Sequence, residues 1–337
     1  IGRRHISLYE KTETLEYKEV VKRGILFHNL TTGRFTRIPS FKTIIEAALV
    51  PYGFLSALLI LLKTKPDRVI SFGGYLALPV CLAAYLLRIP VYVHEQTLHP
   101  GITNRLVSLI SRKIYVSFPQ SETYFPPNKT VVAGNPIRKS VFKTDKKPFL
   151  VDKTKPVIYI TGGSLGSHSI NILIEKILVK LLEKFIVIHQ TGDVKKYNDF
   201  ERLSDLAKTL PTNLKENYKI RRHFYEDEIG YVYSLTDLII GRSGANTLFE
   251  VIKLGIPAIF IPLPWSSGQE QKKHAQLFNS LGLGEIFDQE NDHEKLFKLI
   301  ENTIANLATY RKAFTNLDPM YLQNAAPIIA SDITKQI

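Results

Sequence analysis

The sequence predicts an α/β protein of two domains, each a parallel sheet covered by helices on both faces. Three observations lead there. Short apolar runs of strand length recur along the chain, with helix-length segments between most of them. The runs are apolar throughout rather than alternating, as strands buried on both faces require. At 337 residues the chain also exceeds the size at which a single hydrophobic core keeps growing.

Taken in order, strands are expected at 68–72, 90–94, 113–117 and 130–133, and a second series at 157–161, 185–190, 237–241 and 258–262. A stretch rich in Pro, Lys and Asp, 136–156, separates the two series and reads as a linker. The domains are therefore expected at 1–137 and 156–318, joined by 138–155. A closing helix over about 319–337 is expected to pack back on the first domain. Such sheets bind ligands where strand carboxyl ends meet helix N-termini, so chemistry should be sought in those loops.

Composition narrows the class. With 45% hydrophobic and 22% charged residues, neither a disordered chain nor a multi-span membrane protein fits. The sole cysteine, Cys81, excludes a disulfide framework and any multi-cysteine metal site, and agrees with a reducing cytosol. The net charge of +13 is uneven: residues 1–137 hold 17 Lys+Arg against 8 Asp+Glu, which is +9, and the remainder 27 against 23. A basic, apolar domain suits an anionic membrane or nucleic acid. The run 47–62 favours the membrane; at 16 residues, with Pro51 and Gly53 inside, it is short for a span of roughly 20. It reads as a helix partly in the core and partly facing the membrane, with a fully buried core helix as the alternative. Nucleic-acid binding has only charge behind it, with no aromatic-basic module.

The clearest motif follows the 157–161 strand: Gly162-Gly163-Ser164-Leu165-Gly166-Ser167, then a helical pattern from Ser169. Glycines admit a close approach of backbone, and a helix N-terminus suits a diphosphate. A dinucleotide site would place an acid at the end of the next strand, but that strand ends His189-Gln190-Thr191, which disfavours NAD. The second motif, Gly241-Arg242-Ser243-Gly244-Ala245-Asn246-Thr247-Leu248-Phe249-Glu250, again puts small residues at a helix start and adds a carboxylate. Glu250 could take both ribose hydroxyls of a nucleotide, or could close a capping box with Thr247. Two such pockets without a Walker lysine point to a nucleotide diphosphate held without a P-loop, as in a nucleotide-sugar site.

In the first half, Ser71-Phe72-Gly73-Gly74-Tyr75 and His94-Glu95-Gln96-Thr97 follow strands, and Gly134-Asn135-Pro136-Ile137-Arg138 follows a third. His94 and Glu95 are candidates for a general base, although neighbours on an extended segment face opposite ways. Arg138 could reach a diphosphate or stand solvated in the linker. The acidic run Glu226-Asp227-Glu228 reads as exposed loop charge, and no Asp-x-Asp metal pair is present. No metal or cofactor is expected.

Together these segments closely resemble the bacterial MurG family, UDP-N-acetylglucosamine transferases that make the lipid-linked disaccharide precursor of peptidoglycan. Phe72 to Tyr75 with Pro79, His94 to Gln96 with Gly101 and Asn104, Gly134 to Arg138, Gly162 to Gly166, Arg242 to Gly244 with Thr247 and Glu250, and Gln271 with Ala275 stand in family order and spacing. The resemblance implies a GT-B fold, two Rossmann-like domains with parallel sheets facing across a cleft. It places the donor UDP-GlcNAc on Gly163, Ser164, Gly166, the backbone near Phe224 and Tyr225, Ser243, Gly244, the helix start from Ala245, Asn246 and Thr247 to Leu248 and Phe249, Glu250 for the ribose and Gln271 for the sugar, with Thr97 and Arg138 nearby. It places Gly73, Gly74, Tyr75, Asn104 and Asn135 on the acceptor side.

The implied acceptor is undecaprenyl-diphosphate-linked muramyl pentapeptide, whose C4 hydroxyl attacks the anomeric carbon with inversion at the cytoplasmic face of the plasma membrane. The first domain would face acceptor and membrane peripherally. Leu165, Thr97, Glu270 and His274 depart from the family's usual glutamine, asparagine, glutamine or histidine, and asparagine. Ile1 begins in what reads as the end of a strand, beyond the family's opening strand and glycine-rich loop with its histidine, a favoured general base. The implied expectation is that the chain as it stands is inactive and less stable than one with that segment restored, leaving the catalytic base unassigned. Alternatives are a UDP-sugar:diacylglycerol glycosyltransferase, a UDP-GlcNAc 2-epimerase, and a non-catalytic membrane partner that binds UDP-sugar.

Overall fold

The computed structural model describes residues 1–5, 13–33 and 41–335. They form two compact units, dividing between Ala133 and Gly134.

In the first unit, α1 (Leu15–Lys22) and α2 (Phe41–Thr64) precede a sheet of β1 (Val69–Ser71), β2 (Val91–Glu95), β3 (Lys113–Val116) and β4 (Thr130–Val132). Helices α3 (Ala77–Leu86) and α4 (Ile102–Ile110) make the crossovers after β1 and β2. All pairings are parallel, in the order β1-β2-β3-β4. Each strand falls on a run expected from the sequence, β2 extending one residue further, to Glu95. β2 is buried at all five positions, which is why it reads as a continuous apolar run rather than an alternating one. The predicted helix over 47–62 is real and longer, with Pro51 inside it. Ala57 and Leu61 are buried, whereas Tyr52, Leu55, Leu59 and Leu62 are exposed along the opposite stripe. Among the described residues no helix is long and apolar enough to cross a membrane.

The second unit contains β5 (Val157–Thr161), α5 (His168–Lys184), β6 (Ile186–Gln190), α6 (Asp199–Thr209), α7 (Thr212–Lys215), β7 (Tyr218–Arg221), α8 (Ile229–Leu235), β8 (Leu238–Gly241), α9 (Ala245–Leu254), β9 (Ala258–Phe260), α10 (Glu270–Ser280) and β10 (Gly284–Ile286). Helices α11 (His293–Ala305), α12 (Leu307–Thr315) and α13 (Ala325–Thr334) follow; the last two residues of the predicted 319–337 helix lie outside the described residues. The sheet is wholly parallel, β10-β9-β8-β5-β6-β7. β7 and β10 were not expected from the sequence. They are the two edges, and an edge strand keeps polar residues: Lys219, Arg221 and Glu285 stand in them.

The core of this unit packs α5, through Ile170, Ile174, Ile177, Leu178 and Leu181, against Ile158, Ile160, Val187 and Ile240 of the central strands. Those helix positions recur at three- and four-residue spacing, so one stripe of α5 is buried. The chain leaves β5 toward β6 on one side and reaches β8 on the other, so the sheet reverses direction between β5 and β8. That crevice, at the carboxyl ends of the strands, is where an open parallel sheet takes its ligand.

Candidate functional site

The two motifs read from the sequence flank this crevice. Thr161 and Gly241, the last residues of β5 and β8, are register partners, so the loop 162–167 and the segment 242–244 emerge side by side. Each runs into a helix N-terminus, capped at Ser167 for α5 and at Gly244 for α9, neither with a side-chain cap. The first-turn N–H groups of both helices therefore face outward with the positive ends of two dipoles, an arrangement suited to a diphosphate.

The glycine loop is shaped by close crossings. A Cβ on Gly166, whose φ is +78°, would stand 2.0 Å from the Thr191 carbonyl oxygen. Only glycine lets the loop after β5 pass the loop after β6 at that separation. Gly163, also at positive φ, has open space around it, and Ser164 and Leu165 are exposed.

Gln190, which the sequence offered only as the absence of a dinucleotide-type acid, ties this region together. Its Nε2 donates to the Gly163 carbonyl (3.0 Å) and to Thr161 Oγ1 (3.3 Å), and its Oε1 accepts from the Phe224 amide (3.0 Å). The glycine loop and the segment expected to meet the uracil are thus joined through one buried amide. The Phe224 ring is buried, edge-on to Tyr159 at 6.0 Å and Phe149 at 5.9 Å, while Tyr225 is exposed. The Tyr225 amide donates to Glu228 Oε2 (3.2 Å). Glu228 is buried and lies 3.4 Å from Lys146, so the reading of 226–228 as exposed loop charge fails for this residue: it braces the turn before α8.

Glu250 lies in the second turn of α9. The helix begins at Ala245, so Thr247 is already inside it and the capping box does not form. Instead the buried carboxylate accepts from Arg138 Nε at 2.7 Å and Nη2 at 3.0 Å, and from the Tyr233 hydroxyl at 2.9 Å. Its carboxylate holds the Arg138 guanidinium above its ordinary pKa against the opposing effect of burial. Burial first, with Glu250 and Tyr159 beside it, pushes the Tyr233 phenol well up. Tyr233 had no signal in the sequence beyond an apolar helical pattern.

Arg242 is buried, and among the described residues none of its hydrogen bonds goes to a carboxylate. It donates to the Ile261 carbonyl, to Ser167 Oγ and Ser169 Oγ at the start of α5, and to Gln289 Oε1. Burial lowers its pKa to about 10, so it still carries its charge beneath the glycine-loop helix. Ser243 Oγ donates to the Gln271 carbonyl (2.6 Å), and the Gln271 Oε1 accepts from the Leu263 amide (3.0 Å). With its Oε1 so engaged, Gln271 has its Nε2 as the donor to offer a hydroxyl oxygen. Asn135, expected on the acceptor side, donates to Asn246 Oδ1 at the start of α9 (2.9 Å).

In the first unit, Glu95 accepts from the Thr97 amide (2.9 Å) and hydroxyl (2.7 Å) on one oxygen and from Asn104 Nδ2 (2.8 Å) on the other. A carboxylate held by three donors braces the turn. His94 is buried, 3.4 Å from Ser117 Oγ and edge-on to Phe72. Asn104 Oδ1 is buried with no partner among the described residues, and a Cβ on Gly73 would stand 3.0 Å from it. Its acceptor faces the Gly73–Gly74 turn. Tyr75 accepts a hydrogen bond from Arg3 (2.8 Å).

Residues 157–325 match the glycosyltransferase family 28 C-terminal domain and residues 6–116 its N-terminal domain. A Bacillus cereus protein named UDP-N-acetylglucosamine--N-acetylmuramyl-(pentapeptide) pyrophosphoryl-undecaprenol N-acetylglucosamine transferase 2 is 31% identical, over 91% of this chain and 86% of its own. A Treponema denticola transferase of the same name, without the numeral, is 34% identical over 80% of this chain and 71% of its own. The crystal structure of Acinetobacter baumannii MurG superposes with a TM-score of 0.66 at 27% identity, covering 96% of this chain and 88% of that one. The two parallel-sheet units and the matched domains define a glycosyltransferase of the GT-B type. The chain belongs to glycosyltransferase family 28 and, within it, to the MurG transferases.

Proposed function

We propose that the chain moves GlcNAc from UDP-GlcNAc to the C4 hydroxyl of undecaprenyl-diphosphate-linked MurNAc-pentapeptide, with inversion, as a step of peptidoglycan synthesis. The observation that carries the donor half is the pair of helix N-termini at the β5/β8 crevice, with the buried Glu250 carboxylate one turn into α9. UDP is the leaving group, and its charge grows as the glycosidic bond breaks. The N–H groups at the starts of α5 and α9, the Ser164 hydroxyl and the nearby Arg242 charge stabilise that charge without a metal. Gln190 sets the glycine loop against the Phe224 backbone, which orients the uridine. The curated relatives carry the name of this activity.

For the acceptor half, the first unit has an open apolar cavity of about 790 Å3 lined by Phe54 of α2, Leu82, Tyr85 and Leu86 of α3 and Ile110 of α4, with Arg88 and Arg112 among its walls. Apolar side chains beside cations suit the anionic surface of the membrane that carries the lipid. The unpartnered Asn104 Oδ1 suits a hydroxyl of the acceptor sugar. This reading places the protein at the cytoplasmic face of the plasma membrane as a peripheral protein.

The test is release of UDP from UDP-GlcNAc with and without the lipid-linked muramyl pentapeptide. Release that requires the lipid, with a disaccharide-lipid product, is expected. UDP release with transfer of the sugar to diacylglycerol, or without any lipid acceptor, would replace this acceptor by another, and UDP binding without turnover would make the chain a binding partner.

A further inference from the structure

Glu250 is held by two partners of opposite character. Tyr233 is buried in α8 and packed edge-on against Tyr159 at 5.8 Å, so its hydroxyl has one place to go. Arg138 reaches the same carboxylate from an irregular segment, and half of its side chain is exposed. Its Nε and Nη2 present two N–H groups side by side to the two carboxylate oxygens. The vicinal hydroxyls of a ribose present two O–H donors in much the same way.

The position of this carboxylate ties it to the nucleoside. Tyr233 touches Tyr159, Tyr159 touches Phe224, Phe224 is bonded to Gln190, and Gln190 is bonded to Gly163 of the phosphate-side loop. Glu250 therefore belongs to the same contact network as the phosphate-side loop and the base-side backbone, and it lies little more than one turn along α9 from the helix N-terminus.

We propose that Arg138 stands in for the ribose hydroxyls when the donor pocket is empty, and that Tyr233 is the positioning residue that keeps Glu250 in place when they displace it. The inference rests on the donor-site reading above and adds to it a specificity residue, Tyr233, and an internal competitor, Arg138. A nucleoside must first break the arginine's two hydrogen bonds. A nucleoside diphosphate recovers that loss, because the released guanidinium stays beside its anionic groups. Without Tyr233 the carboxylate loses the bond that fixes its plane, so recognition of the hydroxyls weakens.

Calorimetric titration of uridine, UDP and 2′-deoxy-UDP into the wild type, Arg138→Gln and Tyr233→Phe tests this, with thermal unfolding as the control for folding. Arg138→Gln should bind uridine roughly three- to tenfold more tightly than the wild type while binding UDP less tightly. Tyr233→Phe should weaken UDP by roughly fivefold and 2′-deoxy-UDP by much less, so that discrimination between them shrinks. Loss of uridine and UDP affinity in equal measure in Arg138→Gln, or of both diphosphates in equal measure in Tyr233→Phe, would overturn the proposal and leave the donor site standing. No binding of UDP by the wild type would overturn both.

Discussion

His189 illustrates how much one buried polar residue can determine. It lies in β6, fully buried, with Nδ1 2.9 Å from the Tyr218 hydroxyl and Nε2 3.0 Å from Asn171 Oδ1. Asn171 spends its Nδ2 on the Thr191 carbonyl and Asp199, so its oxygen faces the ring and the imidazole is neutral with its proton on Nε2. Burial lowers the His189 pKa to about 3 from the ordinary 6.5. Between those values the unfolded chain binds a proton that the folded chain refuses, so this histidine's contribution is complete above 6.5 and is lost as pH falls below it. Lowering pH from 7 to 5 should cost the wild type about 2 kcal/mol more unfolding free energy than His189→Gln, measured by urea unfolding. Equal losses in the two proteins would refute the assignment. The residue-level roles were the least legible part of the sequence. Gln190, Tyr233 and Arg242 act through partners 17 to 75 positions away, and nothing local to any of them signals those partners.

Elements were far more legible, for a reason visible in the second sheet. The central strands β5, β6, β8 and β9 are buried on both faces and appear as apolar runs, while the edges β7 and β10 carry polar residues and do not. The capping-box alternative for Glu250 depended on where α9 begins, and a shift of three residues from Thr247 to Gly244 decides it. The glycine loop offers a test of the geometry at this scale. Gly163 and Gly166 share a positive φ, but a methyl group at Gly163 meets open space and one at Gly166 meets the Thr191 carbonyl and Gly192 Cα. Gly163→Ala should cost about 1 kcal/mol, the penalty of a left-handed conformation alone. Gly166→Ala should cost about 3 kcal/mol or more, because backbone must move. It should also abolish UDP binding, since the loop and the helix terminus behind it shift together. Equal unfolding midpoints in urea for the two variants would mean that the crossing of the 166 and 191–192 loops is looser than described.

For the molecule as a whole, the charge asymmetry and the apolar helix were readable from sequence, but the surface they build was not, because it gathers three separate helices. In α2 the exposed residues Tyr52, Leu55, Leu59 and Leu62 follow helical spacing; in α3 they are Leu82, Tyr85 and Leu86, and in α4 Ile102, Leu106 and Leu109. Such a concentration of exposed apolar side chains on the basic domain marks an interaction surface. If it rests on a membrane, apolar burial and cation–lipid attraction act together, and each can be removed separately. Leu59→Glu with Leu86→Glu should reduce co-sedimentation with vesicles containing anionic lipid by tenfold or more, since two apolar groups are lost and two repelled charges gained. Arg88→Gln with Arg112→Gln should weaken binding to the same vesicles by a similar factor, at about 1 kcal/mol per cation, and leave binding to neutral vesicles unchanged. Raising salt should mimic the arginine variants and not the leucine ones, because screening reaches only the Coulombic part. UDP binding, which depends on the second unit, should stay intact in all four substitutions. Vesicle binding indifferent to both pairs would assign the apolar face to another partner and leave the donor site as described.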